Sequence, residues 1–373
     1  MRDAQKWVTE EVGDSEDEVA VKKVLYLSNI EVPYRTRMFN LLAEHCDLTV
    51  LYERESADNR NAQWVSSEER RYKVRYLRGV RVREENFFSP EILKYIFSGY
   101  DEIIVGCYNS QVQMLAILAM RLMRKKYLLN IDGEVFLEAG KLKTAFKRFF
   151  LRGAKGYLVA GEKAAESIRN VVGNKPITVY YFSSLGQEEL KNNVQRKAER
   201  DDRILVIGQY FPYKGMDVAV QTARMDPQHE YVFVGTGNRT AQFEEEQRTA
   251  EIPNVTVIPF LQKEQLQELY KTCEALVLPS RRECWGLVIN EAASFGMPIV
   301  STWGSGAAVE FLSDKYPQYL AEPGDAEALL KAIQAFEKTE DKGAYIAYLL
   351  KKSKRYSIEA GVDAHLQALG INR

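Results

Sequence analysis

The stretch Pro279-Ser280-Arg281-Arg282-Glu283-Cys284-Trp285-Gly286-Leu287-Val288-Ile289-Asn290-Glu291-Ala292 starts where the apolar run Ala275–Leu278 ends. It passes a glycine and enters a helical pattern that runs to about Phe295. A strand, a glycine turn and a helix in this order make half of a parallel βα unit. The turn sets the helix N-terminus, with the amides of Leu287, Val288 and Ile289, at the carboxyl end of the strand. Aimed N–H groups and the helix dipole stabilise an anion there. Glu283 lies in the loop before the turn, and Glu291 just over one helical turn inside it. Either glutamate alone reads as a solvated charge; only the whole string points to a ligand site.

Working outward, the same unit recurs. Short apolar runs at Ile204–Ile207, Tyr231–Val234, Val255–Ile258, Ala275–Leu278, Ile299–Ser301 and Tyr319–Ala321 alternate with helical segments. An earlier series has runs at Val24–Leu27, Leu48–Tyr52, Ile103–Val105, Tyr127–Ile131, Tyr157–Ala160 and Thr178–Phe182. Continuous apolar strands suit parallel sheets covered by helices on both faces. The spacing predicts an α/β chain of two doubly wound, Rossmann-like domains facing across a cleft, with ligands at the carboxyl ends of the strands. The expected division is an acidic arm at 1–20, an N-terminal domain at 21–183, a linker at 184–202, a C-terminal domain at 203–355, and a C-terminal helix at 356–373 that packs back toward the first domain. The linker assignment rests on nine charged residues among nineteen and no apolar period.

Composition narrows the function. The chain has 373 residues, which suits two domains at roughly 150 residues each. With 51 basic and 52 acidic residues it carries no global footprint for nucleic acid. Cys46, Cys107, Cys273 and Cys284 share no short spacing, so neither a disulfide framework nor a zinc site is expected, and a cytoplasmic location follows. The N-terminus does not read as a secretory signal, and the longest apolar run, Met114 to Met120, is far too short to span a bilayer. His45, His229 and His365 are scattered and receive no catalytic role. No G-x-S-x-G, H-E-x-x-H or P-loop pattern is present, and Val24–Ile30 runs into its loop without G-x-G-x-x-G, which disfavours a dehydrogenase.

Two further turns belong with the opening stretch. In Gly208-Gln209-Tyr210-Phe211-Pro212-Tyr213-Lys214-Gly215, a lysine opens the helix after a strand, where an ammonium can meet a phosphate. Gly235-Thr236-Gly237 is a tight turn after the next strand, and Gly235 and Gly237 allow close backbone approach. In this order the elements resemble the donor half of family 4 glycosyltransferases of the GT-B fold, with Glu283…Glu291 as the family's E-x7-E signature and Lys214-Gly215 as its lysine turn. Pro33-Tyr34-Arg35, read as a loop before an amphipathic helix, is similar to bacterial members that build surface polysaccharides.

The resemblance implies a retaining, metal-independent transferase with a nucleotide-diphosphate sugar, expected to be a UDP-sugar, as donor substrate and no cofactor. Lys214 would neutralise the departing diphosphate, and Glu291 would hold the ribose hydroxyls. Glu283, with the amides of Cys284, Trp285, Gly286 and Leu287, would hold the transferred sugar, beside Val288. Asp132, at the end of a first-domain strand where relatives carry an acceptor-side histidine, reads equally as an Asx-turn residue before Gly133. The family commonly has Arg where this chain has Gln209, which removes a phosphate cation. Arg35, Arg281 or Arg282 would supply that charge. The sequence holds no Asp-x-Asp pair for a divalent cation.

Residues 141–156 hold six basic and no acidic side chains, with Leu142, Phe146, Phe149, Phe150 and Gly153 on one helical face. Arg121, Arg124, Lys125 and Lys126 extend the patch. This reads either as a membrane-surface contact, fitting a lipid-linked saccharide acceptor and a peripheral location, or as an ordinary helix with a solvated basic face. Two other functions fit the scaffold. One is a catalytically silent nucleotide-sugar-binding protein, suggested by Gln209. The other is a sugar-nucleotide epimerase, for which no acid/base set around the sugar is found.

Overall fold

A computed structural model describes residues 21–54, 68–83, 86–133, 140–193, 201–235 and 240–372. The acidic arm at 1–20, residues 194–200 of the expected linker, and Gly237 lie outside the described residues.

The first domain runs β1 (Lys23–Ser28), α1 (Pro33–Leu42), β2 (Asp47–Tyr52), β3 (Lys73–Tyr76), β4 (Val80–Arg83), β5 (Asn86–Phe88), α2 (Ile92–Ile96), β6 (Glu102–Val105), α3 (Gln111–Leu122), β7 (Leu128–Ile131), α4 (Lys141–Leu151), β8 (Gly156–Ala160), α5 (Glu162–Val172) and β9 (Ile177–Tyr180). Its main sheet is wholly parallel, in the order β3-β2-β1-β6-β7-β8-β9. Val24, Leu25, Tyr26 and Leu27 are all buried, as a strand covered on both faces requires.

The second domain follows with α6 (Gln187–Asn192), β10 (Ile204–Ile207), α7 (Met216–Met225), β11 (Tyr231–Val234), α8 (Thr240–Ala250), β12 (Val255–Ile258), α9 (Lys263–Thr272), β13 (Ala275–Leu278), α10 (Leu287–Ser294), β14 (Ile299–Thr302), α11 (Gly306–Leu312), β15 (Leu320–Ala321), α12 (Ala326–Glu337), α13 (Lys342–Ser353) and α14 (Ile358–Leu369). Its sheet is also parallel, ordered β12-β11-β10-β13-β14-β15. Strand order reverses between β1 and β6 in the first sheet and between β10 and β13 in the second. Loops diverge at such switch points and leave a crevice for ligands.

Several elements differ from the sequence expectation. The edge strand β3 and the antiparallel pair β4–β5 were not expected, because short, charge-rich strands such as Lys73–Tyr76 show no continuous apolar run. Tyr319 belongs to a 3-10 turn, not to a strand. Pro33-Tyr34-Arg35 is not a loop: Pro33 is the first residue of α1, where its missing N–H costs nothing. The charged stretch at 184–202 contains α6, whose Leu190 is buried and whose Glu189 side chain accepts from the Gly186 amide at 2.8 Å.

The last helix, α14, packs on α1 and on the β8–β9 edge of the first sheet. Lys22 Nζ caps its C-terminus through the Leu369 carbonyl at 2.6 Å. His365 on this helix is fully buried, with its Nδ1 bonded to the Gly361 carbonyl at 2.7 Å and its ring against Tyr26 and Tyr180. Burial pushes its imidazole down to about 4, outweighing the Gly361 bond, with Arg35 lowering it further and Asp132 opposing.

A base whose folded pKa is depressed contributes its full stability above the unfolded value and loses it as pH falls toward the folded one. Relative to a His365→Leu variant, the wild-type protein is therefore expected to lose about 2 kcal/mol between pH 7 and pH 5, taking an unfolded histidine near 6.5. Urea denaturation of both proteins at the two pH values checks this; equal slopes with pH would contradict it.

Candidate active site

Glu283 and α10 are held by backbone packing. Gly286 caps α10 at φ +101, and no side chain caps the helix. Ile289 N–H bonds the Gly286 carbonyl at 3.0 Å, whereas no described residue accepts from the amides of Leu287 and Val288. The loop is braced from behind by residues 304–307: Glu283 N–H donates to Gly304 O at 2.8 Å, Gly306 N–H to Glu283 O at 3.1 Å, and Ala307 N–H to Trp285 O at 2.8 Å. The approach is so close that a Cβ on Gly304 would lie 2.5 Å from Arg281 O, and one on Gly306 2.2 Å from Cys284 O.

Lys214 reaches the same place from β10. It ends the 3-10 turn Pro212–Lys214, and Gly215 follows at φ +69, a left-handed conformation that favours glycine. A Cβ on Gly215 would stand 2.0 Å from Pro279 O, so the two loops are in backbone contact. Arg282 N–H donates to Tyr213 O at 3.0 Å across the same seam. Lys214 Nζ consequently pairs with the Glu283 carboxylate, both side chains being about four-fifths buried.

The other expected donor residues divide. Arg281 is committed elsewhere: its guanidinium forks onto Asp217 at 2.6 and 2.7 Å and donates to Pro212 O at 2.9 Å. That hydrogen-bonded pairing lowers the Asp217 carboxyl, and Arg281 acts as a brace between the loops. Arg282 is exposed on the loop. Gln209 is half-buried, and its carbonyl accepts from Phe211 N–H at 2.8 Å. Gly235 is close-packed, since a Cβ there would lie 1.7 Å from Gly208 O. The Cys284 side chain is exposed. The Trp285 ring is buried, and its Nε1 donates to Asn290 Oδ1 at 2.8 Å, so this residue offers a ligand only its backbone.

Glu291 stands at the seam between the domains, accepting from Ser184 Oγ at 2.7 Å and Tyr270 OH at 3.0 Å. Burial raises its carboxyl despite these two bonds. Around it Asn290 Nδ2 donates to Phe182 O at 3.1 Å, and Glu310 of α11 accepts from the Lys163 amide of α5 at 2.8 Å.

In the first domain Arg35 and Asp132 meet. Arg35 Nη2 lies 2.5 Å from Asp132 Oδ2, and Nη1 donates to Tyr26 OH at 2.8 Å. Asn130 Nδ2 (2.5 Å) and Tyr180 OH both donate to Asp132 Oδ1. Burial alone would raise this carboxyl; the Arg35 charge and the donated bonds outweigh it and lower it. Asp132 thus takes its bonds among the described residues from side chains, and the residue that an Asx turn would engage, at 134, lies outside the described residues. Arg35 is buried and already neutralised, contrary to its expected place as a free phosphate cation.

Sequence reasoning missed the bracing Gly304–Gly306 turn and the contact of Gly133 with Cys284, where a Cβ would lie 1.7 Å from Cys284 O at φ +148. The signal was present as glycines two residues after strands β14 and β7.

Residues 187–353 match the family model for Glycosyl transferases group 1. This part of the chain is similar to group 1 glycosyltransferase domains, and the chain as a whole has the GT-B fold of two Rossmann-like halves. Among curated relatives, the O-antigen chain mannosyltransferase C of Escherichia coli is 27% identical over 172 residues, covering 44% of this chain and 46% of the relative. The chain thus spans about half the length of that relative. Among solved structures, the Anabaena protein Alr3699/HepE in complex with UDP superposes with TM-score 0.69 at 15% identity, covering 93% of this chain and 99% of that one. WaaG, a glycosyltransferase involved in lipopolysaccharide biosynthesis, gives TM-score 0.61 at 13% identity, covering 92% and 99%.

Asp132→Asn removes the charge that compensates Arg35. It is expected to destabilise the protein by about 2 kcal/mol, below the full cost of breaking a buried pair because Asp132 keeps about a third of its side chain in solvent. A melting temperature unchanged from wild type would show that Asp132 does not anchor Arg35.

Proposed function

We propose that this chain is a retaining, metal-independent glycosyltransferase. It moves a sugar from a nucleotide-diphosphate sugar to a glycan or lipid-linked saccharide in surface polysaccharide synthesis. One observation carries the reading: Lys214 pairs with Glu283 beside the uncapped N-terminus of α10, at the switch point of the second sheet. The Glu283 Cγ packs within 3.4 Å of the position a Cβ would take on Gly286, so ammonium, carboxylate and free amides share one small space.

A diphosphate entering this space competes with Glu283 for Lys214. The Leu287 and Val288 amides and the helix dipole take the phosphate oxygens, and Lys214 neutralises the charge that grows as the diphosphate departs. Glu283, released from the lysine, is then free to accept from hydroxyls of the transferred sugar. Glu291 is placed for the ribose, exchanging the Ser184 and Tyr270 hydroxyls for those of the ligand. The acceptor enters from the first domain and attacks on the face that the diphosphate leaves. Uridine is the favoured base, supported by the UDP and UDP-glucose complexes of HepE. Asp132 stands on the acceptor side, held by Arg35.

Arg35 and Arg281 are both committed to carboxylates, which leaves Gln209 without a substitute cation from either of them. This favours, as a second reading, a protein that binds the nucleotide sugar without turning it over. Slow nucleotide release from a sugar nucleotide in the absence of acceptor belongs to the transferase alone.

The acceptor reading is joined by a surface. On α4 the apolar side faces outward: Leu142 is 88% exposed and Phe146 56%, while only Phe150 and Leu151 are buried. Leu122 and Met123 at the end of α3 extend the apolar surface, and Arg121, Lys141, Arg148 and Arg152 line an open hollow beside it. An ordinary domain helix turns its phenylalanines inward; apolar tips ringed by cations match an anionic membrane surface. Among the described residues no helix is long and apolar enough to cross a membrane.

Lys214→Ala is expected to lower sugar transfer about a hundredfold, equivalent to about 3 kcal/mol, without unfolding the protein. A rate assay with UDP-sugars, with melting curves alongside, measures this; an unchanged rate removes Lys214 from the mechanism. Wild-type protein is also expected to float with anionic liposomes at low salt, and a Leu142→Ser/Phe146→Ser variant to remain in the soluble fraction. Equal flotation of the two proteins, or none for wild type, would defeat the membrane contact.

A further inference from the structure

The switch point of the first sheet opens into a cavity of about 380 Å³, formed by residues that follow β1, β2, β6 and β7. One wall is Glu53, directly after β2, whose residue is only 6% exposed. Its Oε1 is fixed by Ser110 Oγ at 2.5 Å and by Gln113 Nε2 at 2.9 Å, and Gln113 is itself held by Asn29 Oδ1 at 2.6 Å. No described residue donates to Oε2, and no described cation lies within ion-pair reach of this carboxylate. Arg54 lines the same cavity, and its Nε is buried without a hydrogen-bond partner. A buried polar group left unpaired in an otherwise well-bonded fold points to a partner that arrives with a ligand.

We propose that Glu53 and Arg54 form an acceptor subsite that binds a pair of hydroxyls on an uncharged saccharide terminus. One hydroxyl donates to Glu53 Oε2 and a neighbouring one accepts from Arg54 Nε. This deepens the glycosyltransferase reading and rests on it for the word acceptor. The charge count sets the chemistry. Arg35 and Asp132 at the cavity cancel each other, and Glu53 and Arg54 are opposite in sign, so the charged lining sums to zero. A uronate or phosphate would meet the Glu53 carboxylate at close range, whereas vicinal hydroxyls satisfy both Glu53 and Arg54. Tyr34 and Phe87 on the rim supply aromatic surface for the apolar face of a sugar ring. Ser110 and Gln113 do not touch the ligand; they hold the carboxylate in position.

The test uses the full chain and a panel of methyl glycosides, neutral hexopyranosides and the matching hexuronides, with binding measured by saturation-transfer NMR. Glu53→Gln keeps the shape of the side chain, and melting curves establish that it folds. The expected result is saturation of neutral glycosides by wild-type protein, weakened about tenfold or more in Glu53→Gln, the loss typical of a hydrogen bond to a charged group. Equal binding by both proteins, preference for the hexuronides, or no neutral glycoside bound by wild type would each overturn the proposal. Nucleotide release from UDP-sugars without acceptor is assayed on the same samples. Its absence in both proteins would instead count against the transferase reading while leaving the glycoside result to decide the subsite.

Discussion

The uncapped N-terminus of α10 is the constraint around which the second domain is arranged. A helix start normally receives a side-chain acceptor for its first amides, and losing one costs about 1 kcal/mol. Here Gly286 occupies the cap position, and the Leu287 and Val288 amides stay open. The surrounding fold makes that opening rigid. Gly215 touches Pro279, and Gly304 and Gly306 touch the loop from behind, contacts in which a single methyl group would collide with backbone oxygen. The Lys214–Glu283 pair sits at that opening. Its two charges satisfy each other, and on the function proposed above the helix end favours their exchange for an arriving diphosphate.

The two halves are joined through the same helix. Trp285 packs its ring against Phe182 and Tyr356, Asn290 reaches the Phe182 carbonyl, and Glu291 takes the Ser184 hydroxyl. Gly133 closes against Cys284 on the other side of the cleft. Elements that form the proposed donor site in the second domain are therefore also those that register it against the first. Asp132 and its Arg35 partner, next to Gly133, are carried to the cleft by that contact. The returning helix α14 completes the arrangement by covering β8 and β9, with His365 sealed neutral against Tyr26 and Tyr180.

The order of strands was legible because parallel strands buried on both faces write themselves as apolar runs; Ile204–Ile207 and Ala275–Leu278 needed no context. Lys214 and Glu283 were singled out by the resemblance to family 4 glycosyltransferases, and Gly286 by the turn from strand to helix. What escaped the sequence was pairing. Arg35 and Asp132 are 97 positions apart, and nothing local announces that one neutralises the other. Arg281 likewise looked free until Asp217 was placed beside it. Edge strand β3 escaped because an edge needs no continuous apolar run, and α6 because it is short and charged, with its Glu189 engaged by Arg37 and Lys263 from distant parts of the chain. The outward-facing phenylalanines of α4 were visible as a helical face, but only the fold could tell which way that face turned.

The measurement that reaches the centre of this account is a crystal structure of the protein with UDP bound. The β-phosphate is predicted to lie against the amides of Leu287 and Val288, with Lys214 moved off Glu283 and onto the phosphate oxygens. A diphosphate bound away from α10, or a Lys214–Glu283 pair that persists with the nucleotide in place, would contradict it.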